Sequence, residues 1–226
     1  MITILILTLK NIYLSSILVG SGFSGIDAAI KLKEIGVKFT ILEKSECLGG
    51  TWYDNQYPGK IILILFEIIC EKTIFLSFFT GAACDIASHL YSFSYYLNPW
   101  WTRAYSRQNE IWEYLKNVVD HFNIGPYIKF GTKVESAVWE ENISKWIVKT
   151  TDGKIFEANF LFSGVGALHV PNDTRFKDDE LFEGPKFHTA LWRKDVDLKN
   201  KKVAVIGKFS KTASKWQCRI EFCHYN

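Results

Sequence analysis

Ile17-Leu18-Val19-Gly20-Ser21-Gly22-Phe23-Ser24-Gly25 is the stretch that decides the fold. Ile17–Val19 is a short apolar, largely β-branched run ending in glycine, so it reads as a buried parallel strand. Gly20-x-Gly22-x-x-Gly25 follows at once. The first glycine permits a tight turn, the second lets backbone approach a pyrophosphate, and the third lets helix and strand pack closely. Ser24–Ile35 then reads as a helix, with Ile26, Ala29, Ile30 and Leu32 available to a sheet and Gly36 placed to stop it. The helix start offers unpaired N–H groups and partial positive charge to phosphate. Lys38–Leu42 is the second strand, and Glu43 stands where a carboxylate can accept hydrogen bonds from an adenosine ribose. Strand, helix and strand form a βαβ unit. An acid at position 43 favours an unphosphorylated ribose, as in FAD or NAD, over NADP at this site.

Outward from that unit, Arg107–Phe122 carries Ile111, Leu115, Val118, Val119 and Phe122 on one stripe and reads as an amphipathic helix. Lys133–Trp139, Lys145–Thr150 and Ile155–Glu157 alternate apolar with polar residues, which predicts a small antiparallel meander. Asp152-Gly153 is the hairpin turn between its last two strands. Asn159–Phe162 reads as a return to a buried strand, running into Gly164-Val165-Gly166. Lys202–Ile206 reads as another buried strand, opening a second unit. The fold class expected is α/β: a Rossmann-like dinucleotide domain with a small antiparallel meander, then the start of a second Rossmann-like domain.

Composition removes several function classes. The net charge of +3 over 226 residues is small and its cations are scattered, so nucleic acid is not expected as a partner. The 5 cysteines are odd in number and form no CxxC pair, which argues against a disulfide framework or a structural metal site. A disulfide reductase would need a redox pair near its flavin, and Cys47 stands alone there. A reducing, cytoplasmic setting follows as the default. Met1–Leu9 is apolar but lacks a basic n-region and a cleavage site. Ile61–Phe79 is broken by Glu67, Glu71 and Lys72, so no membrane span is expected. Oligomeric state is not legible.

A second set of motifs separates FAD from NAD. Gly49-Gly50-Thr51-Trp52-Tyr53, Tyr57-Pro58-Gly59, Cys84-Asp85-Ile86 and Ser88-His89-Leu90-Tyr91-Ser92 resemble flavin-containing monooxygenases, in particular the Baeyer–Villiger type and its 4-hydroxyacetophenone monooxygenase-like branch. Phe182-Glu183-Gly184-Pro185-Lys186-Phe187-His188-Thr189-Ala190-Leu191-Trp192 resembles that group's FxGxxxHTxxW fingerprint, with Arg193 where the stricter pattern has proline. The resemblance implies FAD held by Gly20, Gly22, Phe23, Ser24, Gly25, Glu43, Lys44, Gly50, Thr51, Trp52, Tyr53, Asp54, Asp85, Tyr91, Val134 and Gly164. Thr51–Asp54 and Tyr91 would lie against the flavin, and Val134 would meet the adenine through its backbone. Asp85, beside the isoalloxazine, would be the catalytic residue, positioning an active-site arginine. Ala83, Cys84, His188 and Gly207 are implied on the NADPH side, with His188 in the hinge between domains. The implied reaction uses FAD, NADPH and O2 to oxygenate a small organic substrate through a C4a-peroxyflavin: ketone to ester, or oxygen to nitrogen or sulfur.

The chain also departs from that pattern. Lys60–Gly81 intervenes between Tyr-Pro-Gly and Ala82-Ala83-Cys84-Asp85, is strongly apolar, and has codon possibilities at both ends compatible with splice sites. It reads as an unspliced insertion. Gly207-Lys208-Phe209 stands where a second glycine motif would open, with Phe209 at the place of a required glycine. The domain plan expected is a doubtful extension over 1–13, an FAD-binding domain over 14–170, a linker over 171–201 and an incomplete NADPH domain over 202–226. That plan predicts a protein unable to complete a catalytic cycle, with a non-catalytic FAD-binding remnant as the alternative.

Overall fold

The computed structural model describes residues 14–57, 82–171, 178–198, 201–206 and 220–224. Residues 1–13, the whole of the 60–81 insertion and Gly207 lie outside them, as do Pro58 and Gly59.

The predicted βαβ unit is present: β1 (Ser15–Val19), α1 (Phe23–Glu34) and β2 (Lys38–Leu42). A short α2 (Thr51–Asp54) follows, then α3 (Gln108–His121), β3 (Ile128–Lys129), β4 (Val134–Glu140), β5 (Lys145–Thr150), β6 (Ile155–Ala158) and β7 (Phe160–Ser163). Both β2 and β7 pair with β1 in parallel, giving the sheet order β3-β2-β1-β7. A right-handed crossover through α1 is what such pairing demands.

Side-chain alternation along β1 builds two cores. Leu18 faces α1 and α3 and joins Ile26, Ile30, Ile41, Ile111, Leu115 and Val118, all essentially without solvent exposure. Ile17 points to the other face, where Leu42, Val148 and Ala158 receive it beneath the meander. The sheet is thus sandwiched between helices and the antiparallel β4-β5-β6 meander. Val148 and Thr150 of β5 are buried while Lys149 between them is exposed, the period-two pattern expected of that strand. Gly153, at φ +82°, makes the predicted turn, its N–H donating to the Thr150 carbonyl.

Two expectations need correction. Phe160 and Phe162 of β7 are 47% and 42% exposed, so this strand is not buried. It is an edge strand whose other neighbour is lacking among the described residues, and only Leu161 is packed into a core. Lys202–Ile206 does form a strand, β8, but it pairs antiparallel with β9 (Ile220–His224) in a separate sheet. Ala204 is exposed there. A two-stranded ribbon cannot bury both faces. No described helix is long and apolar enough to cross a membrane.

Candidate functional site

The glycines of the deciding stretch divide by what surrounds them. Gly20 has φ +98°, and an added Cβ would lie 2.7 Å from the Gly164 carbonyl oxygen. At Gly25 an added Cβ would overlap the Gly20 carbonyl oxygen. These glycines are demanded by packing, and Gly164 is the wall that β7 brings against them. Gly22 is different. Its φ of −80° suits any residue, and the nearest atom to an added Cβ is the Cα of Gly50, 3.7 Å away. Nothing among the described residues requires glycine there. Such a glycine leaves the backbone free for close approach by a ligand.

Helix α1 starts at that opening with no side-chain cap and no acid in its first turn. The first helical bond runs from the Ile26 N–H to the Gly22 carbonyl, so the N–H groups of Phe23, Ser24 and Gly25 have no acceptor within the helix. Ser24 is exposed and Phe23 half-buried. Uncapped donors plus the helix dipole form an anion site.

A second glycine turn faces the first. Gly49 and Gly50 sit at φ +126° and +54°, and the Gly49 N–H donates 3.0 Å to the Ser21 carbonyl. From Gly50 the chain enters α2, whose Trp52 is buried. The Trp52 indole donates 3.1 Å to the Tyr91 hydroxyl, with the rings edge-to-face at 5.7 Å. Tyr91 also meets Phe23 edge-on at 5.1 Å. Burial pushes the Tyr91 phenol above its ordinary value, against the Trp52 hydrogen bond that lowers it. Helix α3 holds this turn from behind: Gln108 donates to the Trp52 carbonyl, and the Trp112 indole donates 2.9 Å to the Leu48 carbonyl. Tyr53 leans on Trp112 at 5.5 Å.

Glu43 is buried at the end of β2. Its Oε2 accepts from the Ser21 N–H and hydroxyl, both at 2.7 Å, and its Oε1 accepts from the Ser45 N–H at 2.9 Å. Lys44 turns outward, 3.5 Å from the Asp54 carboxylate and donating 3.1 Å to the His169 carbonyl. Ser45 donates its hydroxyl to Asp54 at 3.0 Å. Thr51 is exposed beside them. Val134 begins β4 opposite Thr150, close behind Thr132, whose N–H bonds to the Glu43 carbonyl.

The segment Ala82–Cys84 is clipped to the start of α3 by the bonds Cys84 N–H to Ser106 and Gln108 N–H to Ala82. Cys84 is buried and its thiol pKa is raised by that burial, while Asp85 beside it is exposed. Ala83 bridges Arg107. His188 is exposed, and its ring Nδ1 accepts from the Ala190 N–H, capping the short turn 189–191. Phe187 and Trp192 of the fingerprint stack edge-to-face at 5.3 Å. The linker touches the glycine corner through Lys194, which donates 3.2 Å to Gln56. Gly207 lies outside the described residues.

The structure therefore brings Gly20, Gly22, Phe23, Gly25, Glu43, Gly50, Trp52, Tyr91 and Gly164 to one corner. His188 is joined to that corner by no described contact. Sequence reasoning passed over Ser21, Gln108 and Trp112. Ser21 was hidden as a variable letter inside the glycine motif, and the other two lie on α3, far along the chain. The donor set fits a dinucleotide: glycine backbone, an uncapped helix start, and a fixed carboxylate. Among the described residues no cluster of His, Cys, Asp and Glu could hold a metal ion.

Comparison with known proteins agrees with this geometry. Residues 17–210 match the family model described as pyridine nucleotide-disulphide oxidoreductase. A Baeyer-Villiger monooxygenase of Streptomyces coelicolor is 36% identical over 190 residues, covering 84% of this chain and 32% of the relative. An FAD-binding monooxygenase of Botryotinia fuckeliana is 33% identical, covering 85% of this chain and 34% of the relative. Cyclohexanone monooxygenase from Rhodococcus sp. Phi1, bound to NADP+, superposes with a TM-score of 0.67 at 33% identity. That match covers 82% of this chain and 32% of the solved one. The chain spans about a third of the length of the curated relatives it matches. It belongs to the pyridine nucleotide-disulphide oxidoreductase family, and within that family it is similar to about a third of a Baeyer–Villiger monooxygenase.

Proposed function

We propose that this chain is the FAD-binding portion of an NADPH-dependent flavin monooxygenase that oxygenates a small organic substrate. The observation that carries the reading is Gly22: a glycine with ordinary φ that no clash among the described residues demands, facing the backbone of a second glycine turn, with Gly50 Cα 3.7 Å from an added Cβ. The N–H groups of Phe23, Ser24 and Gly25 would hold the pyrophosphate, Glu43 the adenosine ribose, and the Val134 backbone the adenine. Lys44, Gly50, Thr51, Tyr53 and Asp54 would line the flavin side, with Trp52 and Tyr91 as its buried footing. FAD supplies two-electron chemistry toward O2 once NADPH has reduced it. The balance is NADPH, H+, O2 and substrate giving NADP+, water and the oxygenated product. Asp85 would position a cation near the ring, and Ala83, Cys84, His188 and Gly207 would serve the NADPH side.

The protein's own contributions are binding, orientation and water exclusion. Buried Trp52 closes the floor of the corner, and its bond to Tyr91 holds that phenol in place, while burial favours its protonated form. The titration that tests the reading is quenching of FAD fluorescence by the purified chain. Saturable binding with one FAD per chain is expected, and its absence would sink the proposal. Oxygen uptake with NADPH by the 226-residue chain should not exceed that of free FAD. Uptake above that level would show that the chain is catalytically self-sufficient.

We further propose that Lys60–Gly81 is absent from the mature protein, on the strength of the apolar interruption between Tyr57 and Ala82. Sequencing the transcript across Pro58–Asp85 decides it: a message retaining those codons refutes the proposal.

A further inference from the structure

Ser21 has no solvent exposure, and both of its donors converge on one atom. Its N–H and its hydroxyl each lie 2.7 Å from Oε2 of Glu43. A backbone N–H at this position would reach the carboxylate whatever the side chain. The hydroxyl is an addition specific to serine. Glu43, itself 4% exposed, has its other oxygen, Oε1, held by the Ser45 N–H. An ionised carboxylate offers roughly four acceptor positions. Of these, three are filled by Ser21 and Ser45.

We infer that Ser21 is a positioning residue: by closing Oε2 it leaves Glu43 one acceptor position, on Oε1, for one adenosine ribose hydroxyl. The inference rests on the FAD reading above. Hydrogen bonds to charged acceptors are the stronger kind, and three of them hold the carboxylate plane before any ligand arrives. Removing the Ser21 hydroxyl opens a second position, on Oε2, while the Ser21 and Ser45 N–H groups still hold the two oxygens in place. The preference for one hydroxyl then disappears. A purely structural role for Ser21 would lower stability and leave that preference intact.

The experiment titrates the full chain with FAD and with two FAD analogues in which the adenosine 2′- or 3′-hydroxyl is replaced by hydrogen. In the unaltered protein one analogue should bind about tenfold more weakly than FAD, while the other stays within about twofold. In Ser21→Ala the gap between the analogues should shrink below about threefold, with FAD itself about fivefold weaker. Ser21→Cys keeps the side-chain volume with a weak donor and gives the same reading if the alanine variant does not fold. An undiminished gap in the variant overturns the inference, even if the melting temperature drops. So do two analogues equally weakened in the unaltered protein. If the unaltered protein binds no FAD, the flavin reading fails first, and that outcome is distinct from FAD binding with an undiminished gap.

Discussion

Ile17-Leu18-Val19-Gly20 and Val203-Ala204-Val205-Ile206-Gly207 are alike as text, each an apolar run ending in glycine. In three dimensions they part company. The first lies at the centre of a parallel sheet, with Leu18 fully buried and strands on both sides. The second pairs antiparallel with β9 in a two-stranded ribbon, with Ala204 exposed. What differs is the continuation. After Val19 come three correctly spaced glycines and a helix with a buried stripe. After Ile206 come Gly207, Lys208 and Phe209. A strand of this composition is only a willing partner; the turn and helix after it determine which partner it finds.

The largest effect expected is at Gly25, where a methyl group would collide with the Gly20 carbonyl. Gly25→Ala should cost at least about 3 kcal/mol, because backbone on backbone cannot relax as a side chain can. Urea denaturation that matched the parent protein would break the claim that this turn directs the first strand. Gly22→Ala sharpens the same comparison from the other side. Its methyl group meets only Gly50 Cα at 3.7 Å, so the melting temperature should hardly move. FAD binding should nevertheless weaken by about tenfold or more, since backbone can no longer approach the pyrophosphate.

Tyr91→Phe removes the acceptor of the buried Trp52 indole. An orphaned buried donor costs roughly 1–3 kcal/mol, readable in the same denaturation curves. A neutral result would mean that the indole finds another partner. The alkaline limb of stability should follow the tyrosines. Burial raises the Tyr91 and Tyr114 phenols above their ordinary value near pH 10.0. Raised phenols favour the folded state fully below that pH, where both states are protonated. Their contribution is lost as pH climbs through the folded-state values, so the melting temperature should decline above pH 10. Removing the chain beyond Lys201 should have the smallest effect. The β8–β9 ribbon forms a sheet of its own, so the cooperative transition of the main sheet should shift by less than about 0.5 kcal/mol. A large shift would show that the two regions are coupled after all.

Much of this architecture was legible because local chemistry and packing agree. The glycine spacing, the stripe on α3 and the alternation in β5 each announce one structure and receive it. Helix α1 begins at Phe23, a residue before the expected start, and ends at Glu34; such boundaries depend on end hydrogen bonds that periodicity does not encode. The burial of β7 was misread for a physical reason. Phe160, Leu161 and Phe162 look alike in sequence, but burial depends on what covers each face of a strand, and among the described residues only Leu161 packs against a core cluster. Ser21 escaped notice because its role is to meet Glu43, and the pairing exists only after the sheet has formed. Gln108 and Trp112 were invisible for the same reason.

Those two α3 residues carry a consequence of their own. Gly20–Gly25 is anchored to the sheet, whereas the turn at Gly49 and Gly50 hangs from α3 through Gln108 and Trp112, with one strap back to Ser21. How closely Gly50 is pressed against Gly22 is therefore a caliper setting, governed by how deeply Ile111, Leu115 and Val118 seat α3 against the core. Substitutions at those distant positions can tune how the corner grips its ligand while leaving every residue of the two glycine turns unchanged.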